Sequence, residues 1–198
     1  MTSKNKKVQA FLRHVKAVAK KNNIEVVLTS GKYIKISPTI QCNGYFDGDK
    51  LVVACGKPEK HWLSILVHES CHMDQWIKKL KVWKKSADLD VTDEWLNGDR
   101  FRKKTVNESI RRSIMLELDC EKRAIKKIKE FGLPIDIKQY TQRANAYILW
   151  YIYLKKVRKW NPPAYKERRI YSKMPKRLLR CYRVLPKKVE TLFNKYLD

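Results

Sequence analysis

Apolar residues recur along this chain at two spacings, and the change from one to the other marks its elements. Val8, Phe11, Leu12, Val15, Val18 and Ala19 form a stripe at intervals of three and four, with Lys and Arg between them. This spacing predicts a helix over 4–22, stopped by Asn22-Asn23. Residues 24–29 read as a strand and Ser30-Gly31 as a turn. Tyr33, Ile34, Lys35 and Ile36 alternate within a second strand over 32–37, ended by Pro38. Asn43-Gly44 and Asp47-Gly48 mark two more turns, and 51–55 is a short apolar strand before the Gly56-Lys57-Pro58 break. Helical spacing resumes over 61–80 through Trp62, Ile65, Leu66, Met73, Trp76, Ile77 and Leu80.

Beyond this helix, 81–107 carries Trp83, Trp95 and Asn97-Gly98 without a clear period, which predicts a long connection with at most a short helix. A helix over 107–131 follows, with Ile110, Ile114, Leu118, Ala124, Ile125 and Ile128 on its buried side. Gly132 and Leu133-Pro134 close it. Another long helix is predicted over 136–160, rich in Tyr140, Tyr147, Trp150, Tyr151, Tyr153 and Trp160, until Asn161-Pro162-Pro163 breaks it. Lys and Arg then alternate with Tyr165, Tyr171, Tyr182 and Tyr196, and one more helix is expected over 186–197. The pattern predicts an α+β fold: an N-terminal helix and a small twisted sheet, then the 61–80 helix and a helical C-terminal half. Residues 1–160 would make the domain, and 161–198 a basic, aromatic-rich extension packed on it or trailing it.

The 61–80 helix contains His68-Glu69-Ser70-Cys71-His72, an H-E-x-x-H motif. Residues four apart on a helix share a face, so His68 and His72 can grip one Zn²⁺ from one side. Glu69 is then placed to take a proton from a water at the open coordination position. A catalytic zinc usually has a third protein ligand. His61 lies two turns earlier on the same helix and cannot fold back to supply it. A carboxylate from a later helix is the better source. Glu117 and Glu121 are four apart, with the small Cys120 between them. The bland alternative is a solvated Glu pair opposite Lys and Arg. Cys120 could itself ligate, closing a structural site. Cys71, next to His72, points about 100° away from that ligand and suits core packing.

The motif and the Glu117/Glu121 helix together resemble the gluzincin metallopeptidases. The resemblance implies a zincin-like fold, with Glu117 as the third zinc ligand and Glu121 as the partner that fixes a histidine tautomer, or the reverse. It also implies peptide hydrolysis, with Glu69 as the general base. The sheet edge between Gln41 and Cys55 would pair with an extended peptide or protein substrate. Tyr147 or Tyr151 would serve as a second electrophile or simply pack in the core. The words His-Glu-Ser-Cys-His-Met-Asp-Gln-Trp and Glu-Leu-Asp-Cys-Glu are also similar to uncharacterised metallopeptidases of tailed phages. Two features depart from the zincin pattern. Asp74 stands where zincins usually carry an apolar residue, and the gap from His72 to Glu117 is longer than in thermolysin-like enzymes. Lying between the metal-site elements, 81–107 would be a rim or lid, or a surface excursion pinned by its tryptophans.

Charge adds a second theme. Lys plus Arg number 45 against 20 Asp plus Glu, a formal charge of +25. This suits an anionic partner such as nucleic acid, although spread along the chain it also suits a merely soluble protein. The alternative function is therefore a basic, non-specific nucleic-acid binder with a structural or degenerate zinc site, or a protease held on DNA as Spartan-like proteases are. Cys42, Cys55, Cys71, Cys120 and Cys181 are scattered, with no C-x-x-C. The N-terminal stretch is not an apolar signal core, and no apolar run approaches ~18 residues. These features predict free thiols in an intracellular, cytoplasmic setting, the host's if the protein is phage-encoded, and no membrane span.

Overall fold

The computed structural model describes residues 3–36, 41–160, 166–179, 182 and 184–195. The fold is α+β, mostly helical with a small sheet. It divides into two compact units, one of residues 1–80 and 120–135, the other of 81–119 and 136–198. No helix among the described residues is long and apolar enough to cross a membrane.

The first unit begins with α1 (Ser3–Lys21), whose Val8, Phe11, Val15 and Ala19 are buried. Five strands follow among the described residues: β1 (Glu25–Thr29), β2 (Ile34–Lys35), β3 (Gln41–Cys42), β4 (Gly44–Phe46) and β5 (Lys50–Ala54). They form a three-stranded sheet in the order β1-β5-β4 and a two-stranded pair of β2 with β3. β5 runs parallel to β1, with Val27 opposite Val52, and antiparallel to β4, with Tyr45 opposite Val52. Leu51 to Ala54 are all buried, so the central strand is covered on both faces, which explains its unbroken apolar run. Asp47 shapes the β4–β5 turn by accepting hydrogen bonds from the backbone N–H groups of Asp49 and Lys50. The motif helix, α2 (Glu59–Ile77), starts after Pro58 and packs against β4 and β5. The C-terminal part of α5 (Lys103–Glu130) completes this unit, and Phe131 stacks edge-on against Phe11 at 5.0 Å.

Two short helices, α3 (Lys81–Ala87) and α4 (Thr92–Leu96), occupy the stretch expected to be irregular with at most one short helix. α5 then begins at Lys103, four residues before the predicted start. The charged first turn, Lys103 to Val106, carries too few apolar residues to display a period. The shortness of α3 and α4 explains why their pattern is illegible, since each spans no more than two turns. Arg158 pins this stretch within its unit by donating to the carbonyl oxygens of Trp95 and Asp99, its guanidinium lying over the Trp95 ring. β2 covers only Ile34–Lys35 of the predicted strand, and β4 starts at Gly44, inside a predicted turn. Residues 37–40, 161–165, Cys181 and 196–198 lie outside the described residues.

The second unit is built on the N-terminal part of α5 and on α6 (Ile137–Val157), α7 (Arg168–Tyr171) and α8 (Lys187–Asn194). Ile110 and Ile114 of α5, Leu149, Trp150 and Tyr153 of α6, Ile170 of α7 and Phe193 of α8 share one core. The segment after α7 is fastened to α6 by two side-chain amides. Gln142 donates to the carbonyl oxygens of Ser172 and Met174, and the fully buried Asn145 donates to those of Pro175 and Arg177. These bonds satisfy backbone groups of an irregular segment that no ladder serves.

Candidate metal centre

The motif helix contributes His68, Glu69 and His72, with Glu69 and His72 buried at 9% and 8% exposure. Each imidazole is held from its Nδ1 side. His68 Nδ1 lies 3.2 Å from Glu121 Oε1, and His72 Nδ1 lies 2.8 Å from Gln75 Oε1. Both partner oxygens are acceptors, so both Nδ1 atoms carry the proton. In the neutral rings the Nε2 atoms are then the acceptor nitrogens. These two Nε2 atoms face each other at 3.2 Å. Two lone pairs at that range repel, and a shared proton or a metal ion between them removes the repulsion.

The separation suits a tetrahedral metal ion, of which zinc is one. Two nitrogens each about 2.0–2.1 Å from a tetrahedral ion stand about 3.3 Å apart. Glu117 sits on α5 one turn before Glu121, so the helix puts both carboxylates on one side. The ligand atoms of His68, His72, Glu117 and Cys120 all lie within 4.8 Å of one another, and this His/Glu/Cys cluster could hold a metal ion. Imidazole and carboxylate donors suit Zn²⁺ among several divalent ions. Glu117 and Glu121 are 8% and 5% exposed. Burying carboxylates is costly unless a cation or donors compensate them; His68 Nδ1 faces Glu121, and Tyr147 donates to Glu117.

Cys120 donates to the His68 carbonyl oxygen at 3.3 Å, and its Sγ is 3.6 Å from His68 Nδ1. It therefore borders the Nδ1 side of that ring, whereas the facing nitrogens of the pair are Nε2. Cys71 is fully buried.

Lys127, Gln75 and Gly44 carry no signal in the apolar pattern, yet all three shape the surroundings. Lys127 is buried, donates to both the carbonyl oxygen and the hydroxyl of Ser70, and pairs with Asp74. Gly44 lies so close to the motif helix that a Cβ there would stand 3.3 Å from Glu69 Cγ and 2.5 Å from Ile65 Cγ2. Of the tyrosines considered as electrophiles, Tyr147 donates to Glu117 Oε1 at 3.3 Å, and its hydroxyl lies 3.1 Å from that of Tyr151. A pocket lined by His14, Asp74, Ile77, Lys127 and Phe131 shares no residue with the cluster. Comparison of the chain with protein-family models, curated proteins and solved structures found no match to any of the three.

Proposed function

We propose that this protein is a zinc-dependent peptide-bond hydrolase on a zincin-like fold. The observation that carries the reading is that the Nε2 atoms of His68 and His72 face each other at 3.2 Å, one turn apart on α2, with acceptors beside their Nδ1 atoms. Holding the far side of each ring is how metal-ligating histidines are oriented. His68, His72 and Glu117 would hold the ion, with Glu121 as the carboxylate behind His68. Zinc there would supply a Lewis acid that polarises a carbonyl and acidifies water.

Glu69 is the general base of this reading. Its neighbour in sequence is a ligand, its side chain is buried, and its carboxylate accepts the proton of the attacking water and passes it to the leaving amine. Among the described residues β4 is the terminal strand of its sheet, and Gly44 lies against Glu69. An extended peptide adding to that edge by backbone hydrogen bonds would bring its carbonyl groups past the base. Glu69→Gln keeps shape and helix while removing the base. The variant should fold and retain zinc, yet cleave a peptide library at least about 10²-fold more slowly than wild type. Equal cleavage by the two proteins sinks the mechanism, and loss of zinc from the variant makes Glu69 structural.

A second reading takes all four donors. With Cys120 bound as well, the site closes and becomes structural, consistent with a basic nucleic-acid-binding protein. In that case Cys120→Ser strips the metal. In the catalytic reading it leaves the metal bound.

A further inference from the structure

We propose that Tyr147, backed by Tyr151, is a positioning residue that orients Glu117 as a metal ligand; the proposal rests on the metal centre described above. The chain of hydroxyls has one allowed direction. A carboxylate oxygen only accepts, so Tyr147 donates its proton to Glu117 Oε1 at 3.3 Å. The Tyr147 oxygen then has only lone pairs left for Tyr151, so Tyr151 donates to Tyr147 across 3.1 Å. Two protons therefore point in series toward one carboxylate oxygen.

The rings are set for this task. Tyr147 and Tyr151 are one turn apart on α6 and meet edge to face at 5.4 Å, and Trp160 lies edge-on to both, at 6.4 and 5.3 Å. This packing fixes both phenols without using their hydroxyls, so phenylalanine at either position would fill the same space. What tyrosine adds is the aimed proton. A half-buried hydroxyl that ends on a carboxylate gives direction, and at 3.3 Å its contribution is orientation of Glu117 rather than strength. With that proton committed to Glu117, Tyr147 is not available as an electrophile for substrate.

The test measures metal affinity, not turnover. Metal-free wild type, Tyr147→Phe, Tyr151→Phe and His68→Ala proteins are titrated with Zn²⁺ against a chromophoric chelator, and the melting temperature of each metal-free protein is recorded. Loss of a partner behind a ligand typically weakens metal binding about 10–100-fold. Tyr147→Phe should fall in that range, Tyr151→Phe should weaken binding less and in the same direction, and neither should lower the metal-free melting temperature. Wild-type affinity in Tyr147→Phe overturns the proposal, as does a fall in metal-free melting temperature with affinity intact. If Tyr147→Phe does not fold, Tyr151→Phe decides: weakened binding supports the relay and wild-type affinity overturns it. Wild-type affinity in His68→Ala brings down the metal centre itself, a failure distinct from that of the relay.

Discussion

Lys127 Nζ lies 2.9 Å from Asp74 Oδ2, and the two side chains are only 10% and 17% exposed. The same ammonium donates to the carbonyl oxygen and hydroxyl of Ser70, so one lysine of α5 ties down two successive turns of the motif helix. This pairing supplies a physical reason for an acid at position 74. An acid on that face of α2 answers a buried lysine.

Removing one member strands the other. Lys127→Ala should cost about 3–5 kcal/mol in denaturant unfolding, because it leaves a largely buried carboxylate uncompensated. Lys127→Met with Asp74→Leu removes both charges and should recover much of that loss. Equal losses in the single and double variants would show that the pair contributes nothing as a pair.

Glu117 and Glu121 should separate by metal content. Elemental analysis of the purified protein should find one zinc per chain, absent from the His68→Ala/His72→Ala variant. Glu117→Gln should strip the ion. Glu121→Gln, which only weakens the hold on His68 Nδ1, should cost about 10–100-fold in affinity. Metal kept by Glu117→Gln and lost by Glu121→Gln reverses the two roles.

Gly44 has no room for a side chain. A Cβ would stand 2.5 Å from Ile65 Cγ2 and 2.9 Å from the Val52 carbonyl oxygen. Gly44→Ala must push β4 away from α2, at a cost of about 1–3 kcal/mol. The same displacement reaches Glu69 and should lower activity with metal content unchanged. A Gly44→Ala protein as stable as wild type would mean that the strand shifts freely.

Charge makes a prediction of its own. Residues 138–198 hold 17 Lys and Arg against three Asp and Glu. Among the described ones, Arg168, Lys173, Lys176, Lys187 and Lys188 are exposed while Ile170, Phe193 and their neighbours fill the core. Non-specific DNA or RNA binding should therefore appear at low salt. If it uses six to ten phosphate contacts, it should weaken by about 10³–10⁵ between 50 and 200 mM salt, because each contact releases a counterion. A gel-shift series checks this. No binding at low salt would leave the charge as a solubility feature.

The sequence by itself determined whatever is repeated within one element. Helical spacing over 61–80 puts His68 and His72 one turn apart on one face, since 3.6 residues per turn allow nothing else. The apolar run of β5, the stripe of α1 and the paired carboxylates of α5 are legible for the same reason. Short elements such as α3, α4 and β4 are not, because too few residues sample a period. Only the tertiary structure decided relations between residues distant in the chain. Periodicity leaves Glu117 and Glu121 interchangeable, and packing across 53 residues of chain is what sets Glu121 against His68 Nδ1. Lys127 beneath Ser70 and Tyr147 on Glu117 belong with these relations. Each is a polar contact across distant parts of the chain, and local spacing carries no information about where a distant donor comes to rest.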